Sequence, residues 1–425
     1  MDRRLISNTL AAIVLRGSVM ATQLGIVLLP TLFVEVGTFG AIAFVISIVE
    51  LFKTFADFGV DTLATREFAR ITDAQPHHTG VLHQFAQRVM SQKLICATIG
   101  YVAVLLFYGF TQPANQFVLG ALGGWLIFTG LWAGLPLSFF QAKLRTHEIA
   151  LPIVLVNLGM FGLTALILIW QPVAQLALAS LLLTEVISGV LLWRVMRKAI
   201  GPSLATHVPS FALFGGLSLL QMALPIGITA SIIALYGQIS AVALKTWFGD
   251  VATGNYLFAE RLTQPPLLIA GAFAYSVFSR LSALIANDTD AATLKYNILR
   301  YISISAVFGV FCALLISQLG MLIVPVVMPN FVTAVPVLQL MAIVLGLRIL
   351  NSCLTRVIHA YGHFNWTMWG SLLNLIVVIV LTPIGILRAG SIGVASALMI
   401  SEVVNFIVQA WLVRRAWYLN KLRAI

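Results

Sequence analysis

Apolar runs of about twenty residues recur along the whole chain, and that recurrence decides which solvent it folds in. Twelve fall at about 10–33, 39–63, 92–110, 115–140, 149–170, 173–193, 211–239, 252–278, 299–318, 332–353, 364–386 and 391–413. A soluble surface takes charged residues at roughly a quarter of the chain. Here 9% are charged and 60% hydrophobic, which excludes a water-soluble fold. In lipid, each backbone N–H and C=O must find a partner inside the protein, so the runs must be helices or a closed barrel. No ten-residue alternation of the barrel kind is present, and the expected fold class is all-α, a polytopic membrane protein with twelve transmembrane helices.

Basic residues give an independent check, because Lys and Arg collect in cytoplasmic loops. Nineteen of the 25 fall on one side of the twelve spans, among them Lys93 at the start of the third run. The other side holds Lys245 and Arg388, and four lie inside spans: Arg16, Lys53, Arg261 and Arg348. The bias predicts both termini in the cytoplasm. The net charge of +11 is spread over separate loops and forms no continuous patch, so nucleic acid is not an expected partner. Arg3 and Arg4 precede an apolar run that continues past residue 30 without a small-residue cleavage signal, which predicts a retained first span. Cys96, Cys312 and Cys353 lie in apolar stretches with no CxxC, and are expected as small core residues.

The chain also repeats itself. Residues 181–198 align without gaps on residues 398–415 at an offset of 217, with Glu185 on Glu402 and Arg197-Lys198 on Arg414-Arg415. The same offset places Asn157 on Asn374, and an offset of 214 places Phe39-Gly40 on Thr253-Gly254. Six helices cross the membrane an even number of times, so two such repeats run parallel. This predicts two six-helix bundles related by a pseudo-two-fold axis along the membrane normal, an N-terminal one over 1–198 and a C-terminal one over 211–425, joined by a cytoplasmic linker over 199–210.

Each ionisable group inside a span costs roughly 2.5–3.5 kcal/mol on insertion scales and needs a reason. Glu50, Lys53, Asp57 and Asp61 are spaced to lie on one stripe of the second helix, which must face a wet or protein-lined interior. Either Lys53 is neutralised by Glu50 and Asp57, or it binds an anionic group while a carboxylate exchanges a proton or sodium ion. Glu185 and Glu402 each precede a cytoplasmic basic pair by twelve residues, about 18 Å along the axis, so both lie mid-membrane. They are either interhelical hydrogen-bonding groups or coupling carboxylates. On the eighth helix Glu260 and Arg261 precede Pro265-Pro266, which are expected to bend or unwind it and act as a hinge. Arg261 is a candidate cavity cation or a partner of Glu260. Arg16 and Arg348, nearer the cytoplasmic ends, either snorkel to the interface or line the interior. His77, His78 and His83 lie in an expected loop without metal-ligand spacing. No metal site or cofactor is indicated, and no GxxxxGK[ST] loop for ATP hydrolysis is present.

The segment from Phe55 to Arg70, FADFGVDTLATREFAR, the stretch Gly254-Asn255-Tyr256 to Glu260-Arg261, and Ile392-Gly393-Val394-Ala395 resemble bacterial Wzx-type polysaccharide flippases, within the larger group that includes MATE exporters. The resemblance implies a bacterial inner-membrane protein, not an enzyme. Its implied activity is movement of an undecaprenyl-pyrophosphate-linked oligosaccharide to the periplasmic leaflet by alternating access, for O-antigen or exopolysaccharide assembly, beside polymerase and chain-length machinery. Lys53, Arg261, Arg16 and Arg348 are the candidate headgroup contacts; Glu50, Asp57, Glu185, Glu402 and Glu260 are the candidate coupling or gating carboxylates. A cation-coupled multidrug exporter would share the architecture but needs a negative cavity, and a non-transporting accessory of a polysaccharide synthase would tolerate loss of Lys53 and Arg261.

Overall fold

The computed structural model describes residues 28–74, 79–143, 145–171, 173–201, 216–286 and 290–423, together with Gly17 and Gly25. The rest of the first expected span, Arg16, His77, His78, the 202–210 part of the expected linker and residues 211–215 lie outside these residues. The described chain is almost wholly helical: α1 (Val36–Asp57), α2 (Val60–Ala74), α3 (Thr79–Thr111), α4 (Ala114–Ala142), α5 (His147–Trp170) and α6 (Ala174–Ile200) come first. The stretch Gly216–Ala286 breaks at Gly249 into α7 (216–248) and α8 (250–286). Then follow α9 (Ala291–Val327), a 3-10 turn (Pro329–Ala334) and α10 (Val335–Ala360). The last stretch, Phe364–Arg423, breaks at Ala389 and Gly390 into α11 (364–388) and α12 (391–423).

Among the described residues nine stretches are long and apolar enough to cross a bilayer. Two of them, Ile226–Ser282 and Asn365–Leu419, contain the breaks at Gly249 and Gly390. Gly249 has φ 75° and Gly390 φ 54°, a left-handed backbone that glycine adopts without a Cβ clash. These breaks fall in the gaps that the sequence leaves between its seventh and eighth, and eleventh and twelfth, apolar runs.

Several expectations are corrected. The second helix does not run unbroken to residue 63, because Phe58 (φ 46°) and Gly59 (φ 79°) end α1 and start the more polar α2. The third helix begins at Thr79 rather than 92, so His83 is helical and donates to the Gly201 carbonyl at 3.1 Å instead of sitting in a loop. Pro265 and Pro266 do not unwind α8: the only non-helical backbone angles in the stretch Gly216–Ala286 are at Gly249, before α8 begins. A proline's fixed φ near −65° is itself helical, so the lost N–H donors alone do not break the helix. Cys312 and Cys353 are buried, whereas Cys96 is partly exposed.

The packing is inside out relative to a water-soluble protein. On α5, Leu151, Leu155, Leu158, Leu166 and Ile169 are 60–67% exposed while Asn157 and Thr164 are at most 3% exposed. An apolar exterior around a polar interior suits hydrocarbon, where burying leucine brings no gain and burying amides does. Two compact units result, one built chiefly on Ala41–Ala234, the other on Glu35–Gly40 and Leu235–Ile425. Hence α1 passes from the second unit to the first after Gly40, and α7 from the first to the second after Ala234. In the first unit, Phe68 of α2 meets Phe85 of α3 and Phe139 of α4 edge-on at 5.0 and 5.5 Å. In the second, Phe39, Phe258 and Phe331 form a cluster with centroids 4.6–6.3 Å apart.

Candidate functional site

Among the described residues each unit holds a cluster of buried and partly buried polar groups on its spanning helices. In the first, Lys53 of α1 pairs with Glu50 at 2.8 Å, as the spacing along one helix suggests. It does not pair with Asp57, the other carboxylate within expected reach. Asp57 is taken by Lys93, a residue that the loop count had assigned to the cytoplasmic side. The Lys93 side chain is fully buried, with its Nζ 3.1 Å from Asp57, 2.5 Å from Asp61 and 3.3 Å from the Leu131 carbonyl. Asp57 ends α1 and Asp61 lies in the first turn of α2, so the ammonium clamps the two sides of the Phe58–Gly59 break. Ser138 of α4 completes the clamp, donating to the Asp61 carboxylate at 3.2 Å and to its carbonyl at 3.1 Å.

Glu185 of α6 takes a hydrogen bond from Thr129 of α4 at 2.6 Å, and its field reaches Lys53. Two glycines of α4 admit this chemistry. A Cβ on Gly130 would lie 2.8 Å from Lys53 Cδ, and one on Gly134 would collide with Asp61 Oδ2. The group thus combines Glu50, Asp57, Asp61 and Glu185 with Lys53 and Lys93, four carboxylates against two ammoniums. The ion pairs engage Glu50, Asp57 and Asp61, but two ammoniums neutralise only two of the four negative charges; a cation or protons would balance the others.

In the second unit Glu402 of α12 is the centre. Arg348 of α10 contacts its carboxylate at 3.0 Å, Asn351 of α10 donates to it at 2.8 Å, and Tyr236 of α7 donates through its hydroxyl. The Arg348 guanidinium also lies over the Tyr236 ring, 5.7 Å from its centroid. Arg348 therefore does not snorkel to an interface; it turns inward to a buried carboxylate. Asn405 donates to Glu402 at 3.4 Å and accepts from Gln409 at 3.0 Å, and Gln409 accepts from Thr355 at 3.0 Å. The duplicated carboxylates thus occupy unequal surroundings. Glu402 is tied to two other helices, α7 and α10, beside an arginine, while Glu185 is held by a threonine. Asn374 accepts from Ser401, whereas the Nδ2 of its counterpart Asn157 has no partner among the described residues. Glu260 of α8 is buried in the fields of Arg261 and Arg348, and Arg261 is partly buried beside it. Among the described residues no three His, Cys, Asp or Glu side chains converge to hold a metal ion.

The sequence reading missed Lys93, Thr129, Ser138 and Tyr236 as members of these clusters. Lys93 was findable: in a helix starting at Thr79 it lies four turns inside, too deep for loop solvation.

Residues 5–285 match the family described as polysaccharide biosynthesis protein. The chain belongs to this family. No curated protein matches the sequence. Solved structures similar to this polysaccharide biosynthesis family member include a lipid II flippase, MurJ, in an inward closed conformation, with a TM-score of 0.73 at 14% identity over 98% of this chain and 90% of that one. An inward-facing multidrug resistance MATE transporter of the MOP superfamily also has a TM-score of 0.73, at 13% identity over 96% of this chain and 98% of that one. A MOP superfamily transporter from Pyrococcus furiosus, described as having a binding pocket of reverse polarity, has a TM-score of 0.65 at 13% identity over 99% of this chain and 95% of that one. At such identities the likeness establishes the fold: this family member is a multi-pass helical membrane protein built like flippases and exporters.

Proposed function

We propose that this protein moves an undecaprenyl-pyrophosphate-linked oligosaccharide repeat unit from the cytoplasmic to the periplasmic leaflet of a bacterial inner membrane, by alternating access of two parallel six-helix bundles with both termini in the cytoplasm. The observation that carries the reading is membership of the polysaccharide biosynthesis family in a chain whose spanning helices enclose charged clusters within an apolar exterior. A hydrated anionic headgroup cannot cross hydrocarbon unaided, and it needs cations in a polar interior while its tail stays in lipid. Lys53, Arg261, Arg348 and Arg16 are the proposed headgroup contacts, with Glu50, Asp57, Glu185, Glu260 and Glu402 as coupling or gating groups. Arg348 would reach cargo by leaving Glu402. With Pro265 and Pro266 inside a regular helix, Gly249 is the better placed hinge in the same stretch.

Deletion and complementation test it. Loss of the gene should leave undecaprenyl-linked repeat units on the cytoplasmic leaflet, and K53Q should fail to restore export. Absence of any such accumulation would sink the reading. A second reading, a cation-coupled exporter, is favoured by the excess of carboxylates around Lys53 and Lys93. It predicts drug sensitivity on deletion with surface glycan unchanged.

A further inference from the structure

The exposed face of α12 is graded from one end to the other. Ile400, Val403, Ile407 and Trp411 follow one another at helical spacing and are 40–60% exposed. The same stripe continues into exposed Arg414, Arg415 and Tyr418. Hydrocarbon-facing side chains thus give way to an aromatic residue and then to cations over about 20 Å, the length of a lipid acyl chain with its headgroup.

The cationic end is built rather than frayed. Arg415 lies over two indoles, 5.2 Å from the centroid of Trp366 on α11 and 5.4 Å from that of Trp411. Trp366 is backed by the His363 ring, stacked at 3.9 Å and 4°. Arg414 lies over Tyr418 at 5.8 Å. Stacking on ring faces fixes a guanidinium plane and leaves its in-plane N–H donors available for a bidentate acceptor. Among the described residues neither arginine pairs with a carboxylate. The helix continues to Arg423, so the pair does not simply cap a helix C-terminus. The aligned pair in the first half, Arg197-Lys198, has a simpler setting, with Arg197 over Trp193 at 5.9 Å.

We infer that this face of α12 is a binding site for one anionic phospholipid, its phosphate held by Arg414 and Arg415 and a tail lying along Ile400, Val403 and Ile407. The oriented cations fit a phosphodiester, and the adjoining apolar stripe fits the chain attached to it. The lipid would be a resident of the membrane and distinct from the proposed cargo, so the site stands or falls independently of the transport reading.

The test uses the full chain, purified in a neutral detergent. Phosphatidylglycerol should raise its melting midpoint more than phosphatidylcholine does, and inorganic phosphate should leave it unmoved. Each arginine replaced by glutamine should weaken phosphatidylglycerol binding about fivefold. R415K, which keeps the charge but loses the planar stack, should fall between R415Q and the parent. In the unsubstituted protein a photoactivatable phosphatidylglycerol should label peptides containing 400–418, which keeps the test open should the variants fold poorly. Equal response to inorganic phosphate, undiminished binding by R414Q/R415Q, or labelling elsewhere would overturn the site. Much tighter binding of undecaprenyl phosphate than of phosphatidylglycerol would overturn it too, by making this a cargo site.

Discussion

Gly40 and Gly254 touch backbone to backbone, and each meets the carbonyl that corresponds to the one it presents. A Cβ on Gly40 would collide with the Asp250 carbonyl and lie 2.9 Å from Gly254 N; a Cβ on Gly254 would collide with the Val36 carbonyl and lie 3.2 Å from Gly40 Cα. Val36 and Asp250 are separated by 214 residues, as are Gly40 and Gly254, so the contact is reciprocal in the manner of a local two-fold. Both glycines fall in the second compact unit, although Gly40 belongs to the first half of the sequence.

Because the obstacle on each side is main chain, it cannot swing away as a side chain would. G40A and G254A should each destabilise the protein by about 1–3 kcal/mol, the usual range for overpacking. Melting curves in detergent should show similar losses for the two variants. A thermally silent G40A would show that the helices do not cross this closely.

Lys93 is itself fully buried and balances two partly exposed carboxylates, and removing it leaves both without their cation. K93M is expected to cost about 1–3 kcal/mol, and D57N/D61N should restore part of that loss in the triple variant. Thermal denaturation of the three proteins checks the order. A K93M variant as stable as the parent would rule out the clamp.

The duplicated glutamates should respond unequally. E402Q leaves Arg348 without its carboxylate and is expected to lower stability by about 3–5 kcal/mol, while E185Q keeps an acceptor for Thr129 and should cost less than about 1.5 kcal/mol. The comparison needs only melting midpoints of the two variants. Equal losses would contradict the asymmetry.

Asp290 caps α9, its carboxylate accepting from the Thr293 N–H at 2.9 Å, and that bond holds its pKa below the ordinary aspartate value. A depressed folded pKa gives stability that is complete above the unfolded value and is lost as pH falls through the folded one. Amide exchange at Thr293 should therefore quicken below about pH 4, and D290N should abolish that pH dependence. Exchange that stays flat from pH 5 to pH 3 in the parent would contradict the cap.

What could be read from the residues beforehand follows the reach of each interaction. Glu50 and Lys53 are one turn apart on a single helix, so spacing alone announces their pairing. Glu185 and Glu402 stood out through repetition. The partner of Arg348, by contrast, is 54 residues away, and spacing within a helix is silent about which of several carboxylates will face it. The break after Asp57 was hidden because Phe58-Gly59 sits in a largely apolar run, where one glycine is a weak interruption. Misplacing the start of α3 then put Lys93 outside the membrane. The polar run over 83–88, HQFAQR, resembles a loop until its helical continuation inward is known.

The clamp at Lys93 bears on how the protein is made. Synthesis runs from the N-terminus, so Asp57 and Asp61 emerge while the lysine that will neutralise them is still inside the ribosome. Neither the acids nor the lysine can settle comfortably in oil alone. Delivery of α3 brings the neutralising charge, so insertion of this part of the chain is favoured as a hairpin over insertion helix by helix.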